Sequence, residues 1–97
     1  MIPLSASSDA VAAYLRREGT RVVLVVLNLG ATPLDRVTLS SGERVLRAGQ
    51  YAPKALLGER TAARLRVGSD GRIRGYVVLP TIGAMEGNVF EIERKGR

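Results

Sequence analysis

The sequence lacks the residue types on which most enzyme and metal sites depend. Its 97 residues contain no cysteine and no histidine. Without cysteine there are no disulfides and no thiolate metal sites, and without histidine the commonest general base and the commonest zinc ligand are missing. A metal site would need carboxylates alone, which suits calcium or magnesium. We therefore expect no catalytic residue, no metal and no cofactor.

Aromatic residues are also scarce, since the chain has no tryptophan, three tyrosines and one phenylalanine. Sugar-binding proteins usually stack a pyranose on an exposed aromatic ring. Tyr51 lies in a segment interrupted by Gly49 and Pro53, and Tyr76 follows Gly75. These two tyrosines are the candidates for a sugar contact, and packing within the fold is the alternative for both.

Long hydrophobic runs are absent as well. No stretch approaches the roughly eighteen apolar residues of a membrane-spanning helix. The first residues, Met1 to Ala6, lack the basic start and the apolar centre of a signal peptide. We expect a soluble, cytoplasmic protein that does not enter a membrane.

What the chain does contain is alternating hydrophobicity typical of β-strands. Residues 11–17 alternate as in a half-buried strand, although Ser7 to Asp9 could instead cap a helix there. Gly19 supplies a tight turn. Arg21–Leu27 is then apolar on both faces, which predicts a central strand covered on both faces. Asn28 ends it, where its amide can bond to nearby backbone.

The rest of the chain repeats this pattern of short strands and turns. Ala48–Lys54 is predicted to be a loop because Gly49 and Pro53 interrupt it. A hairpin is predicted around the turn Gly68–Gly71. The predicted strands are Leu34–Leu39, Glu43–Arg47, Ala55–Leu57, Ala63–Val67, Arg72–Leu79 and Gly87–Glu93. The whole chain, 1–97, is thus predicted to be one all-β domain, an antiparallel Greek-key β-sandwich of seven or eight short strands.

The order of these segments resembles one known family. The residues that carry the resemblance are Tyr14, Leu15 and Arg16, Val23 to Asn28, Leu56 to Gly58, Asp70 and Gly71, Leu79 and Pro80, and Glu86, Val89 and Phe90. Together they resemble the C-terminal β-sandwich domain of the alpha-amylase family (glycoside hydrolase family 13), nearest to its alpha-glucosidase and neopullulanase-like members. The resemblance extends from about Pro3 to Ile92.

The resemblance implies a supporting role rather than catalysis. In that family the nucleophilic aspartate, the acid/base glutamate and the stabilising aspartate all lie on a barrel that this sequence does not contain, so no catalytic residue can be carried over. The C-terminal domain mainly shields and stabilises the barrel, and in some members it touches starch. We expect a non-catalytic accessory domain whose partner is a glycosidase barrel, in the same gene product or a neighbouring reading frame.

Basic residues outnumber acidic ones, giving a net charge of +6. This favours an anionic partner such as nucleic acid, but an arginine-rich composition of this kind is also typical of GC-rich genomes. Arg64 and Arg66 share one strand face, and Arg72 and Arg74 share another. If the predicted hairpin pairs them, four like charges form an anion-binding cluster, unless Glu59, Glu91 or Glu93 neutralises it.

Several apolar residues lie at segment ends or outside the alternating pattern: Ile2, Leu4, Val78, Ile82 and Met85. We expect them to form the apolar patch that docks on a barrel. Without the barrel such a patch would be exposed, which predicts self-association of the isolated chain. The alternatives are a basic module that binds nucleic acid or another anion through the arginines, and a starch-binding module that uses the tyrosines.

Overall fold

The computed structural model describes residues 1–94, which form antiparallel strands and no helix. Alternating side chains produce most of these strands. Their bounds are β1 Ile2–Ala6, β2 Val11–Glu18, β3 Arg21–Asn28, β4 Leu34–Asp35, β5 Thr38–Ser40, β6 Gly49–Leu57, β7 Leu65–Val67, β8 Tyr76–Val77, β9 Thr81–Ile82 and β10 Gly87–Arg94. The predicted all-β antiparallel class is confirmed. None of the described segments is a helix that could cross a membrane.

Eight of the strands follow one another in the order β7-β6-β10-β3-β2-β1-β5-β8. The corner is β1, whose first half pairs with β2 and whose second half pairs with β5. Because β5 comes after β3 in the chain and returns to β1, the strands β5-β1-β2-β3 have the Greek-key order. The strands β4 and β9 form a separate pair.

The core lies between the layer from β7 to β1, the main sheet, and the segments packed opposite it. Leu24 and Phe90 project from the main sheet, and Leu39, Ile73 and Val78 belong to the opposite side of the same buried cluster. The backbone N–H of Ala63, just before β7, donates to the carbonyl of Val78, just after β8, over 3.0 Å. This bond brings the two ends of the strand order together.

Several predicted elements differ from the structure. The predicted loop Ala48–Lys54 lies within β6, where Pro53 pairs with Ile92 of β10. The predicted strand Glu43–Arg47 is not a strand in the described chain. The predicted strand Leu34–Leu39 is divided at Arg36, whose φ is +53°. Ile2–Ala6 forms β1 although no strand is predicted there.

The predicted hairpin around Gly68–Gly71 is wrong in its pairing. The turn itself forms, with the N–H of Gly71 donating to the carbonyl of Gly68 over 2.9 Å. However, β7 before the turn pairs with β6, and β8 after it pairs with β5. The turn therefore links the two layers instead of joining neighbouring strands.

Candidate functional site

The two tyrosines predicted as sugar contacts are buried. Tyr51 is 5% exposed and donates its hydroxyl to the carbonyl of Arg47 over 2.7 Å. Tyr76 is 7% exposed and donates to the carbonyl of Ala63. Burial also raises the pKa of Tyr76 far above its ordinary value, so its hydroxyl stays protonated. The prediction that these rings are exposed is wrong, and both belong to the core.

The four arginines predicted to cluster are all exposed, but the hairpin that would pair them does not form. Arg66 lies on β7 opposite Gln50 of β6. Arg74 forms an ion pair with Asp70 at 2.5 Å, and this hydrogen bond is the main reason that the pKa of Asp70 lies below its usual value. Arg64 and Arg72 complete the predicted set. Of these four arginines, Arg74 alone forms an ion pair with a described residue. Glu91, a predicted neutraliser, is bound instead by Arg21 at 3.3 Å.

The predicted docking patch is mostly interior. Val78 and Ile82 are fully buried, and Leu4 is 9% exposed. Ile2 is half-buried against the core, and only Met85 is exposed. These residues were predicted from their place at segment ends, but the segments that contain Val78 and Ile82 form the layer opposite the main sheet. The predicted patch is therefore wrong.

A different apolar surface lies on the outer face of the main sheet. In β3, Leu24 and Val26 point into the core, so Val25 and Leu27 point outward. The neighbouring strands place further apolar side chains beside them: Tyr14 lies opposite Val25, Val89 lies opposite Val25 on the other side, and Leu57 lies opposite Val89. We call Tyr14, Val25, Leu27, Leu57 and Val89 the outer apolar patch.

The outer apolar patch is only partly open to solvent, since Tyr14, Leu27 and Val89 are half-buried. Val25 is 8% exposed yet lies outside the core cluster, because its cross-strand neighbours cover it within the sheet. At the margin, Leu57 is 64% exposed, and Leu56, at a β-bulge, is 44% exposed. Arg21–Leu27 was predicted to be covered on both faces, and Val23 to Val26 are indeed all buried, although only Leu24 and Val26 belong to the core cluster. The face outside the core cluster is a candidate interface.

The other end of this face carries charges. Arg16 and Glu18 form an ion pair at 3.2 Å, and Arg21 and Glu91 form another at 3.3 Å. The Arg16–Glu18 pair is about half exposed and the Arg21–Glu91 pair is partly exposed, so each contributes little to stability. They border the outer apolar patch on one side, where the buried Val23 lies between Arg16 and Glu91.

A pocket that sequence reasoning missed opens at the opposite, inner side of the main sheet. It has a volume of about 640 Å³. Arg17 of β2 and Arg94 of β10 enter from the sheet, and Arg44 and Arg47 enter from the loop that precedes β6. The other lining residues are Thr20, Val22, Val45, Leu46, Tyr51 and Ile92, so no carboxylate lines it in the described chain. We call this the arginine pocket.

Glu86 is held by hydrogen bonds in the loop before β10. The carboxylate of Glu86 accepts bonds from the Asn88 amide at 2.8 Å, the Gly83 N–H at 2.6 Å and the Arg60 guanidinium at 3.0 Å. These bonds, that of Asn88 above all, hold the pKa of Glu86 below its ordinary value. A general acid needs the opposite shift, so this network serves to fix the loop before β10.

Comparison of the chain with protein-family models, with curated proteins and with solved structures gives no match. The family resemblance described from the sequence therefore remains a prediction.

Proposed function

We propose that this protein is a non-catalytic accessory domain that packs, through the outer apolar patch, against the catalytic barrel of an alpha-amylase-family glycosidase. The observation that supports the proposal is the apolar outer face of the main sheet, with Leu57 64% exposed at its margin. Larger apolar surfaces on soluble domains usually mark interfaces. The sequence resemblance supplies the kind of partner.

The shape of the patch favours a folded domain as its occupant. A sheet face without a groove is normally covered by another layer of secondary structure, often helices. The outside of a (β/α)₈ barrel is a ring of helices, so one or two of them could cover this half of the sheet. The ion pairs of Arg16 and Arg21 would then lie at the rim of the interface, where charges remain solvated.

The experiment uses the glycosidase barrel encoded in the same gene or the neighbouring reading frame. The barrel is co-expressed with this chain, and the complex is followed by co-purification and by thermal unfolding of the barrel. We expect the chain to co-purify and to raise the unfolding midpoint of the barrel. The variant L56E/L57E places two carboxylates on exposed positions of the patch margin and should abolish both effects.

The matched control is T61E/S69E, which adds the same charge at two exposed positions outside the patch. This control should bind and stabilise the barrel as the original chain does. The proposal is wrong if L56E/L57E stabilises the barrel equally well, or if no glycosidase barrel is encoded with this chain.

Neither alternative is supported by the residues first proposed for it. The starch-binding hypothesis requires exposed rings, and Tyr51 and Tyr76 are buried. The nucleic-acid hypothesis was argued from a hairpin that pairs these arginines across two strands, and β7 pairs with β6 while β8 pairs with β5.

A further inference from the structure

The arginine pocket is built by the part of the inner sheet face that extends past the core. The inner face of each strand is the one that carries its core residue, which is Leu15 in β2, Leu24 in β3 and Phe90 in β10. Two positions further along the same faces lie Arg17, Val22 and Ile92. The loop 44–47 covers this end from the other side. The result is a concave site between two layers, with a volume within the usual range for small-ligand sites.

Two of its arginines are positioned by backbone carbonyls. A terminal nitrogen of Arg17 donates to the carbonyl of Val45, and one of Arg94 donates to the carbonyl of Ala48 over 3.1 Å. A guanidinium has five N–H donors, so each retains donors for a ligand. Their aliphatic stems and head groups are thereby oriented before any ligand arrives.

The other two arginines of the pocket, Arg44 and Arg47, are not neutralised by a described carboxylate, since they form no ion pair with residues 1–94. The stem of Arg44 packs on Gly71, where an added Cβ would lie 2.5 Å from its Cγ. The carbonyl of Arg47 accepts the Tyr51 hydroxyl. The loop that carries both arginines is therefore tied to the fold at two points.

The walls between the arginines are apolar. Val22, Val45, Leu46 and Ile92 line them together with the Tyr51 ring. A ligand that fits this combination has an anionic group for the guanidiniums and a compact body for the walls. A single carboxylate would satisfy one guanidinium, whereas a phosphate presents oxygens in several directions and carries up to two charges.

We propose that the arginine pocket binds a small phosphate-bearing molecule. The site is separate from the outer apolar patch because it lies on the inner side of the main sheet. The proposal of a phosphate site therefore does not depend on the proposal of an accessory role. Anions steered by the net charge of the chain would bind at many places, whereas the proposal requires binding at this one.

The test is a titration of the full chain with inorganic pyrophosphate and with glucose 6-phosphate, followed by calorimetry and by backbone amide shifts in NMR. We expect saturable one-site binding, with the largest shifts at Val45, Leu46 and Tyr51. The variant R44Q/R47Q should weaken the affinity by about tenfold or more, because charge-assisted hydrogen bonds to phosphate are lost. Its spectrum without ligand should otherwise match the original, since both side chains are exposed.

The matched control is R64Q/R66Q, which removes the same charge from two exposed arginines outside the pocket. It should bind both phosphates within about twofold of the original affinity, because neither arginine lines the pocket and exposed charges outside it act only through screened attraction. Equal losses in the two variants would mean non-specific attraction and would overturn the proposal. The proposal would also be overturned if no saturable binding is seen at low salt, or if citrate binds more tightly than pyrophosphate. It would likewise be overturned if the chain binds a single-stranded oligonucleotide and neither phosphate.

Discussion

At the scale of single residues, Asn28 fixes the end of the central strand to two loops. Its amide nitrogen lies 3.0, 3.1 and 2.9 Å from the carbonyl oxygens of Thr32, Ile82 and Gly83, and its amide oxygen accepts the N–H of Gly30 at 2.9 Å. The side chain is 1% exposed. If the amide were removed, the buried Ile82 carbonyl and three partly buried backbone groups would lose this partner.

We expect N28A to lower the free energy of unfolding by about 2–4 kcal/mol, because each buried polar group left unsatisfied costs about 1–3 kcal/mol. Urea denaturation measures the change. The neighbouring L29A is the control, since Leu29 is 61% exposed and should change stability by about 0.5 kcal/mol or less. Similar values for both variants would show that the Asn28 network contributes nothing.

Part of this network could be predicted from the sequence. An asparagine that ends a strand is expected to bond to nearby backbone, as it does at Gly30 and Thr32. Its bonds to Ile82 and Gly83 depend on residues more than fifty positions away. Local pattern contains no information on which distant loop will reach a buried amide.

Glu86 makes stability depend on pH in the acidic range. Its pKa is lowered in the folded state by the hydrogen bond from Asn88, the Gly83 N–H and the nearby Arg60. A carboxyl with a lowered folded pKa contributes stability above its unfolded pKa and loses this contribution as pH falls through the folded value. The stabilisation of the fold by ionised Glu86 is therefore complete above about pH 5 and declines at lower pH.

We expect E86Q to be less stable than the original at pH 7 and to show a smaller loss of stability on acidification. Urea midpoints measured from pH 7 to pH 3 test this expectation, with E59Q, an exposed glutamate, as the control that should retain the original pH dependence. An unchanged acid profile in E86Q would contradict the assignment.

At the scale of elements, the turn Gly68–Gly71 holds the loop that carries Arg44. The carbonyl of Gly71 accepts the N–H groups of Val45 and Leu46 at 2.8 and 3.2 Å. Gly71 has φ +73°, and a Cβ there would lie 2.8 Å from the Leu46 carbonyl oxygen. A side chain at this position would thus push the loop away from the turn.

We expect G71A to destabilise the fold more than G75A. Gly75 has φ +58° with no atom within 4 Å of an added Cβ, so G75A should cost only the left-handed backbone strain of about 1–2 kcal/mol. G71A adds the clash with backbone and should cost about 1–3 kcal/mol more, as overpacking does. Urea denaturation of both variants gives the difference. An equal loss of stability in the two variants would show that the loop moves away from position 71 at no measurable cost.

The elements could be predicted where pairing is local. The turn at Gly19 joins β2 and β3 directly, and their predicted positions agree with the structure. Around Gly68–Gly71 a turn between two alternating segments predicted the wrong strand pairing. Alternation shows which residues share a face of a strand, but it does not show which strand is the partner. Gly49 and Pro53 predict a loop, yet β6 includes both. The arginine pocket was missed for the same reason, since its lining residues come from β2, β3, β6, β10 and a loop, and alternation does not show that these lie together.

At the scale of the whole molecule, the two proposed surfaces lie on opposite faces of the main sheet. Val25 and Val89 face outward, whereas Val22 and Ile92 line the arginine pocket on the inner side. An accessory domain docked through the outer apolar patch would leave the pocket open. A phosphate ligand could then bind without displacing the partner.

The isolated chain leaves the outer apolar patch uncovered, so we expect it to self-associate at high concentration. The net charge of +6 opposes association, and added salt screens this repulsion. Association driven by the patch should therefore increase with salt, whereas association through ion pairs would decrease. Sedimentation velocity over a series of protein and salt concentrations distinguishes the two.

The variant L56E/L57E separates the effect of the patch from that of the charge. It lowers the net charge by two, which on its own would weaken repulsion and promote association. If the patch forms the contact, the variant should nevertheless be more monomeric than the original, because carboxylates at Leu56 and Leu57 would have to be desolvated in the interface. T61E/S69E carries the same charge change away from the patch and should associate at least as strongly as the original. A monomeric original chain at high salt and high concentration would exclude self-association through this face.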